Sequence, residues 1–403
     1  MELWLPYGQT EIPIRIPDDN FYRIIEPAKQ PLTSDLKSVV ENSLNNPVDG
    51  LQLKDILKQG AKAGIIVDPV VPLEVRRLAV ELVSSRLSEA GVAQTKVFIR
   101  KRTSLAQPVE DGSKPLDPSG PSFSDIGKTM SGTSVELDPE LESCEVKVML
   151  GLVMPHFAAG FTGGPEAVVP SSSSLRTITK NRSLITKGFP ELVSGNDSPI
   201  LSDSLEACKL AGPIYGLSFL PDGHGGIRGA YSGALEPVFR EGVKQYLEYH
   251  NLRLERKLDI VVVSAGSLGV DLYHAVRAIA NVLGAVKRGG TVILVAECSK
   301  GIGDPAFLDY ARRFPDRREL STELRYRFRL GGHVNLYLQE LLEKCRVQIV
   351  SVLPELFVRD TFNLKPSQTA SEAVQKAIRV EGKESKILIV PKGEFTIPTM
   401  ESS

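Results

Sequence analysis

Six short runs of nearly continuous apolar residues constrain the fold of this chain most: Ala63 to Val67, Val146 to Val153, Leu258 to Ser264, Gly290 to Glu297, Val347 to Leu353 and Lys386 to Val390. Runs of this length, apolar at successive positions, suit strands buried on both faces. Between them lie stretches with helical spacing, among them Leu73 to Ala90, Leu235 to His250, Asp271 to Val286, Pro305 to Arg313 and His333 to Lys344. Strands that alternate with helices predict an α/β fold with mainly parallel sheets flanked by helices. Thr369 and Glu372 have capping-box spacing at the start of one further helix, Thr369 to Ile378.

A chain of 403 residues is too long for one ordinary core. The charged segment Asn251 to Lys257 is the predicted boundary, giving two α/β domains, 1–254 and 255–403, with a cleft between them. Hydrophobic residues make up 42% of the sequence, enough for two cores. The formal net charge of −1 leaves no basic field for a phosphate backbone, so no nucleic-acid partner is expected. Cys144, Cys208, Cys298 and Cys345 show no C-x-x-C spacing and are expected as buried free thiols of a cytoplasmic protein. The first residues lack a basic, apolar leader, and no apolar run is long enough to span a bilayer, so no membrane partner is expected.

Before the first buried run, Leu3, Leu5, Ile12, Ile14 and Ile16 alternate with polar residues or proline around Gly8-Gln9, a β-hairpin pattern. A Ser34-capped helix to Asn45 and a short helix from Leu51 to Gln59 should follow. Lys96 to Ile99 reads as a strand. From Arg100 to Asp138 the chain is rich in Ser, Pro, Gly and Asp, and loops with one weak strand at Ser134 to Leu137 are expected. Ser171 to Ser174 supply a cap for a helix from Leu175, and Asp203 to Leu210 is helical. Ile214 to Leu220 and Ile227 to Ser232 flank a hairpin turn with His224 at its tip.

The stretch richest in chemistry is Met154 to Pro170, directly after a buried run. It holds His156, then Gly160, Gly163 and Gly164 within five residues, then Glu166. Glycines there can adopt φ > 0 and turn backbone N–H groups toward an anion, while a histidine at the loop mouth can bind or carry a proton. Beside Phe157 and Phe161, His156 equally suits a hydrogen-bonded core position. Ligands of parallel sheets sit at strand carboxyl ends. Other polar ends are Asp68, Ser264-Ala265-Gly266-Ser267, and Glu297 with Ser299. The Ser264 to Gly269 segment suits a phosphate but lacks G-x-G-x-x-G, and no G-x-S-x-G accompanies Gly223-His224-Gly225-Gly226. The basic run Arg100-Lys101-Arg102 suits solvated surface better than a ligand. The five histidines show no local metal spacing, so no metal ligand is assigned.

Several motifs resemble those of the nickel-dependent lactate racemases and their 2-hydroxyacid racemase or epimerase relatives. They are L-P-Y-G at the start, I-E-P at 25–27, G-A-K-A-G-I-I-V-D ending at Asp68, P-H-F-A-A-G-F-T-G-G at 155–164, V-V-S-A-G at 262–266, D-L-Y-H-A at 271–275, G-G-T-V-I-L-V-A-E-C at 289–298, Gly301 to Phe307, and V-P-K-G-E-F-T-I-P near the end. The resemblance implies a small-molecule hydroxyacid ligand and a nickel pincer nucleotide, a modified pyridinium joined to a lysine through a thioamide, which accepts hydride from the substrate's α-carbon. A hydride acceptor suits that substrate, whose α-proton is too weakly acidic for a side-chain base.

The family's functional positions carry over poorly. His156 matches one histidine of the family's acid/base pair, but the tethering lysine falls on Glu166, and a carboxyl cannot carry the thioamide. The family arginine falls on Val71, a second histidine near Ser104 and the nickel-ligand histidine near Leu201. The substrate-side lysine falls in the shortened Gly266-Ser267-Leu268-Gly269. Lys101, Lys180 and Lys187 stand in contexts that do not replace them. The cofactor is therefore left unassigned. The expectation is a lactate-racemase-like protein with a polar cleft, with nickel pincer chemistry lost or altered, or else an active nickel-dependent 2-hydroxyacid racemase or epimerase with non-covalent or altered cofactor binding. His156 and Glu166 are the expected catalytic residues; Gly160, Gly163, Gly164, Ser264 and Gly266 would hold a cofactor, and Asp68 and Ser267 a substrate.

Overall fold

The computed structural model describes residues 1–27, 35–57, 59–100, 114–190 and 197–400. It forms two compact units, one of residues 29–248, the other of residues 1–28 together with 249–403.

In the 29–248 unit a six-stranded sheet has the order Ile227–Ala234, Ile214–Pro221, Val146–Leu152, Lys62–Val67, Gln94–Arg100, Lys114–Leu116. Its pairs are parallel except the hairpin Ile214–Pro221 with Ile227–Ala234. Val146–Leu152 is buried at every position, as expected of a strand with neighbours on both sides and cover on both faces. Ile66, Phe98 and Met149 pack with Val135, Leu137 and Leu141 in one core. Ser174 caps helix Leu175–Ser183 by accepting the Thr177 amide, and Ser198 caps Pro199–Leu210 through the Leu201 amide.

The other unit holds a wholly parallel sheet in the order Lys365–Pro366, Arg346–Val350, Val286–Val295, Leu258–Ser264, Ile387–Val390, Phe21–Ile24. The N-terminal hairpin pairs Glu2–Tyr7 with Thr10–Arg15, Leu5 opposite Ile12. Its inner residues Leu5, Ile14 and Ile16 pack against Ile260, Val262 and Ile293 of the sheet and Val374 of helix Ala370–Glu381. That helix has the expected Thr369 cap on the Glu372 amide.

Several expectations need correcting. The first 28 residues belong with the C-terminal unit rather than with 29–248, because Phe21–Ile24 finds its partner in Ile387–Val390. Asn251–Leu254 is a strand parallel to Ile397–Met400 rather than a linker. Helix Leu36–Asn45 is capped by Asp35, whose side chain accepts the Lys37 amide at 3.0 Å; Ser34 lies outside the described residues. The expected helix at 51–59 is a 3-10 turn, Leu53–Ile56. Between 114 and 138 there are three strands, Lys114–Leu116, Ser124–Lys128 and Ser134–Leu137, where one was expected. Two unexpected helices, Arg317–Tyr326 and Glu355–Phe362, bury only two residues each, too narrow a stripe to read from sequence. Among the described residues no helix is long and apolar enough to cross a membrane.

Candidate functional site

Leaving the strand Val146–Leu152, the chain makes a tight hairpin in which Pro155–His156 pairs with Gly160–Phe161, His156 opposite Gly160. Gly160 holds φ at 86°, and a Cβ there would meet nothing within 4 Å, so glycine serves the turn and not a close contact. The partly exposed His156 ring stacks on Phe157, centroids 5.2 Å apart. Its Nδ1 accepts the amides of Ala158 and Ala159, both at 3.2 Å. Nδ1 is thus unprotonated in the neutral ring, and Nε2 carries the hydrogen.

The loop then lies directly on the sheet. Thr162 Oγ1 donates to the Leu152 carbonyl at 2.9 Å, and Ser218 Oγ donates to the Gly163 carbonyl at 2.5 Å. Gly163 has φ 116°, and a Cβ on it would come within 2.8 Å of Val153 Cγ2. Gly151 answers it from the strand: a Cβ there would approach the Gly163 carbonyl carbon to 2.7 Å. This packing aims two consecutive amides at Glu166, whose Oε1 accepts from Gly163 at 2.5 Å and whose Oε2 accepts from Gly164 at 3.1 Å. The glycine amides expected to receive an outside anion hold the chain's own carboxyl.

Burial, and then the charge of Asp68, push the Glu166 carboxyl up to about 7, against the lowering effect of the two amides. Asp68, at the end of strand Lys62–Val67, is buried, and its Oδ1 accepts the Val70 amide at 3.1 Å. Asp68, Glu166 and the glycine loop therefore form one cluster at strand carboxyl ends.

Ser264, Gly266 and Ser267 belong to the other unit and form a second cluster. Ser264 Oγ donates to the Pro6 carbonyl at 2.6 Å. Ser267 N–H donates to Glu394 Oε2 at 2.6 Å. Gly266 has φ 54°, and a Cβ there would collide with that carboxyl. The cradle read after this strand is thus filled by Glu394, which burial pushes up to about 7. Glu394 escaped the sequence reading although it stands inside V-P-K-G-E-F-T-I-P, a motif singled out there. Leu258–Ser264 and Ile387–Val390 are parallel neighbours in this sheet, and the carboxyl ends of such strands are where parallel sheets take ligands.

The remaining family positions are apolar or exposed. Val71 and Leu201 are buried hydrophobic residues. Lys180 and Lys187 are exposed, as is His224 at its hairpin tip. Lys101, Arg102 and Ser104 lie outside the described residues. All four cysteines are buried and free. Among the described residues no three His, Cys, Asp or Glu side chains converge as metal ligands would.

Fold and site together define a two-unit α/β protein of the parallel, crossover-connected kind, with its polar groups gathered at strand carboxyl ends. The lactate racemase N-terminal domain family matches residues 7–105 and 119–190, and the lactate racemase C-terminal domain family matches residues 254–397. A lactate racemase of Thermoanaerobacterium thermosaccharolyticum is 23% identical over 420 residues, covering 98% of each chain. One of Lactiplantibacillus plantarum is 22% identical over 414 residues, covering 96% of this chain and 97% of the relative. The structure of the lactate racemase apoprotein from T. thermosaccharolyticum superposes with a TM-score of 0.86 at 23% identity, over 99% of this chain and 100% of that one. A Thermotoga maritima protein does so with a TM-score of 0.67 at 14% identity, over 91% and 98%. This chain belongs to the lactate racemase family, an isomerase family.

The covalent lysine tether of the nickel pincer nucleotide implied by the resemblance does not fit these residues. A thioamide needs an amine, and Glu166 offers a carboxyl whose two oxygens already accept backbone amides.

Proposed function

We propose that this chain holds a small polar, hydroxyacid-like ligand at the Met154 to Pro170 loop, and that nickel pincer racemisation has been lost or altered in it. Glu166 carries this reading: a hydrogen-bonded carboxyl sits where the family's tether requires an amine. His156 would donate from Nε2 to a ligand oxygen, its Nδ1 being held by backbone amides. Glu166 would take or give a proton near neutrality, with Asp68 tuning it and Gly160 leaving room at the turn. A cytoplasmic setting fits four buried free thiols.

The test is to produce the chain alongside the enzymes that build the family's cofactor, then measure bound nickel, intact mass and racemisation of D- and L-hydroxy acids. The expected result is no stoichiometric nickel, no added mass and no racemisation. Stoichiometric nickel with racemisation would overturn the reading. A second reading, an active nickel-dependent 2-hydroxyacid racemase or epimerase with non-covalent cofactor, draws on the pairing of His156 with a carboxyl near 7 in one loop. It predicts nickel, and a cofactor mass that leaves on denaturation, together with racemisation.

A further inference from the structure

The unit of residues 1–28 and 249–403 carries a side-chain pair that the loop at 154–170 does not use. Asp271 caps helix Leu272–Val282, its side chain accepting the His274 amide at 2.8 Å. The same oxygen, Oδ1, lies 2.7 Å from His274 Nδ1. A carboxylate only accepts, so Nδ1 carries the hydrogen and Nε2 becomes the ring's proton-exchanging atom. His156 is fixed the other way, with its Nδ1 accepting.

Capping alone does not account for the arrangement. One oxygen of Asp271 does all of the capping, while Oδ2 is buried with no hydrogen-bond partner among the described residues. Leaving a carboxylate oxygen so is destabilising, and a serine or threonine cap would avoid it. A fully buried carboxylate that orients an imidazole through Nδ1 is the supporting half of a proton-transfer dyad. The His274 side chain keeps 13% of its surface exposed, against 0% for Asp271.

The pair also stands at a strand carboxyl end, where parallel sheets take ligands. It follows the carboxyl end of Leu258–Ser264 through the turn Gly266–Val270. The segment after Val286–Val295 is laid over it, with Leu272 N–H donating to the Gly301 carbonyl and Tyr273 N–H to the Ile302 carbonyl. Gly303 has φ 95°, and a Cβ there would come within 2.7 Å of the Asp271 carboxyl carbon. Tyr273 meets the His274 ring edge-on at 5.1 Å and the His333 ring at 6.4 Å. His333 Nδ1 accepts the Gly331 amide at 3.3 Å, so in the neutral state the two imidazoles flanking Tyr273 are opposite tautomers.

We propose that His274, oriented by Asp271, is a second ligand-binding, proton-exchanging residue of this chain, taking the hydroxyl of a 2-hydroxy acid on Nε2. The ligand class rests on the function proposed above; the pair rests on its own geometry. Asp271 is the positioning residue.

Long-range proton–nitrogen spectra of the full chain report both ring nitrogens of all five histidines, assigned through single His→Gln variants. Titrated with D- and L-lactate, and with propionate as the analogue lacking the hydroxyl, His274 is expected to show a protonated Nδ1. Its Nε2 signal should shift saturably with lactate and not with propionate. Asp271→Ser keeps a helix cap for the His274 amide and withdraws the carboxylate from Nδ1; it is expected to erase the fixed tautomer and weaken lactate binding about tenfold, with the melting temperature little changed. A lactate response at His156 with none at His274 would overturn the proposal and leave the function above standing. A response at His274 alone would uphold the proposal and sink the His156 site. Silence at both would overturn both.

Discussion

A carboxyl that accepts two amide hydrogens would be a stronger acid than usual in water, yet Glu166 is pushed up to about 7, because burial and the Asp68 charge outweigh the amides. Glu394 gives the cleaner test, since burial alone raises it, against the Ser267 amide and the charges of Lys392 and Arg277. Its carboxyl is pushed up to about 7 in the folded chain from an ordinary 4.5, so the folded state binds the extra proton between those values. Stability from this group is full below 4.5 and lost as pH rises through 7, on the order of 3 kcal/mol at most. Glu394→Gln should flatten that fall, read as the difference between wild-type and variant denaturation midpoints across pH 4.5 to 8. Equal slopes would mean that Glu394 is solvated. Glu166 was legible in the sequence, because a motif with a lysine at that position makes a glutamate conspicuous. Glu394 was not, since its role depends on a contact with Ser267, 127 residues away.

At the scale of elements, the loop at 154–170 is held by glycines that each do something different. Gly163→Ala meets both a positive φ and Val153 at 2.8 Å, and should cost about 2–3 kcal/mol in chemical denaturation. Gly160→Ala has open space around it and only the φ penalty, and should cost about 1 kcal/mol. Similar losses at both positions would mean that the loop does not lie on the sheet. The glycines were legible as a loop, but not which one faces the strand, because that depends on Gly151 lying under Gly163. The central strands were legible because burial on both faces leaves an unbroken apolar run. Lys114–Leu116 and Ser124–Lys128 were not, being short and mostly half-exposed, with pairings that no local period encodes.

For the whole molecule, the sequence predicted two α/β units, but it could not assign the first 28 residues, whose strand pairs with residues more than 360 positions further on. Because Leu5, Ile14 and Ile16 complete a core made by 249–403, residues 249–400 produced alone should unfold without a cooperative transition. A permuted chain joining residue 400 to residue 1 and ending at 27 should restore one, as calorimetry would show. A sharp transition without the N-terminal segment would refute the shared core. The same arrangement fixes the order of events on the ribosome. The hairpin Glu2–Arg15 has no sheet to cover until the strands between 258 and 390 emerge, after the whole of 29–248 has been synthesised. At about 5–20 residues per second that wait lasts roughly 20–80 s. Throughout it Leu5 and Ile14 face water or a chaperone, and the unit of 1–28 with 249–403 closes after 29–248 is complete.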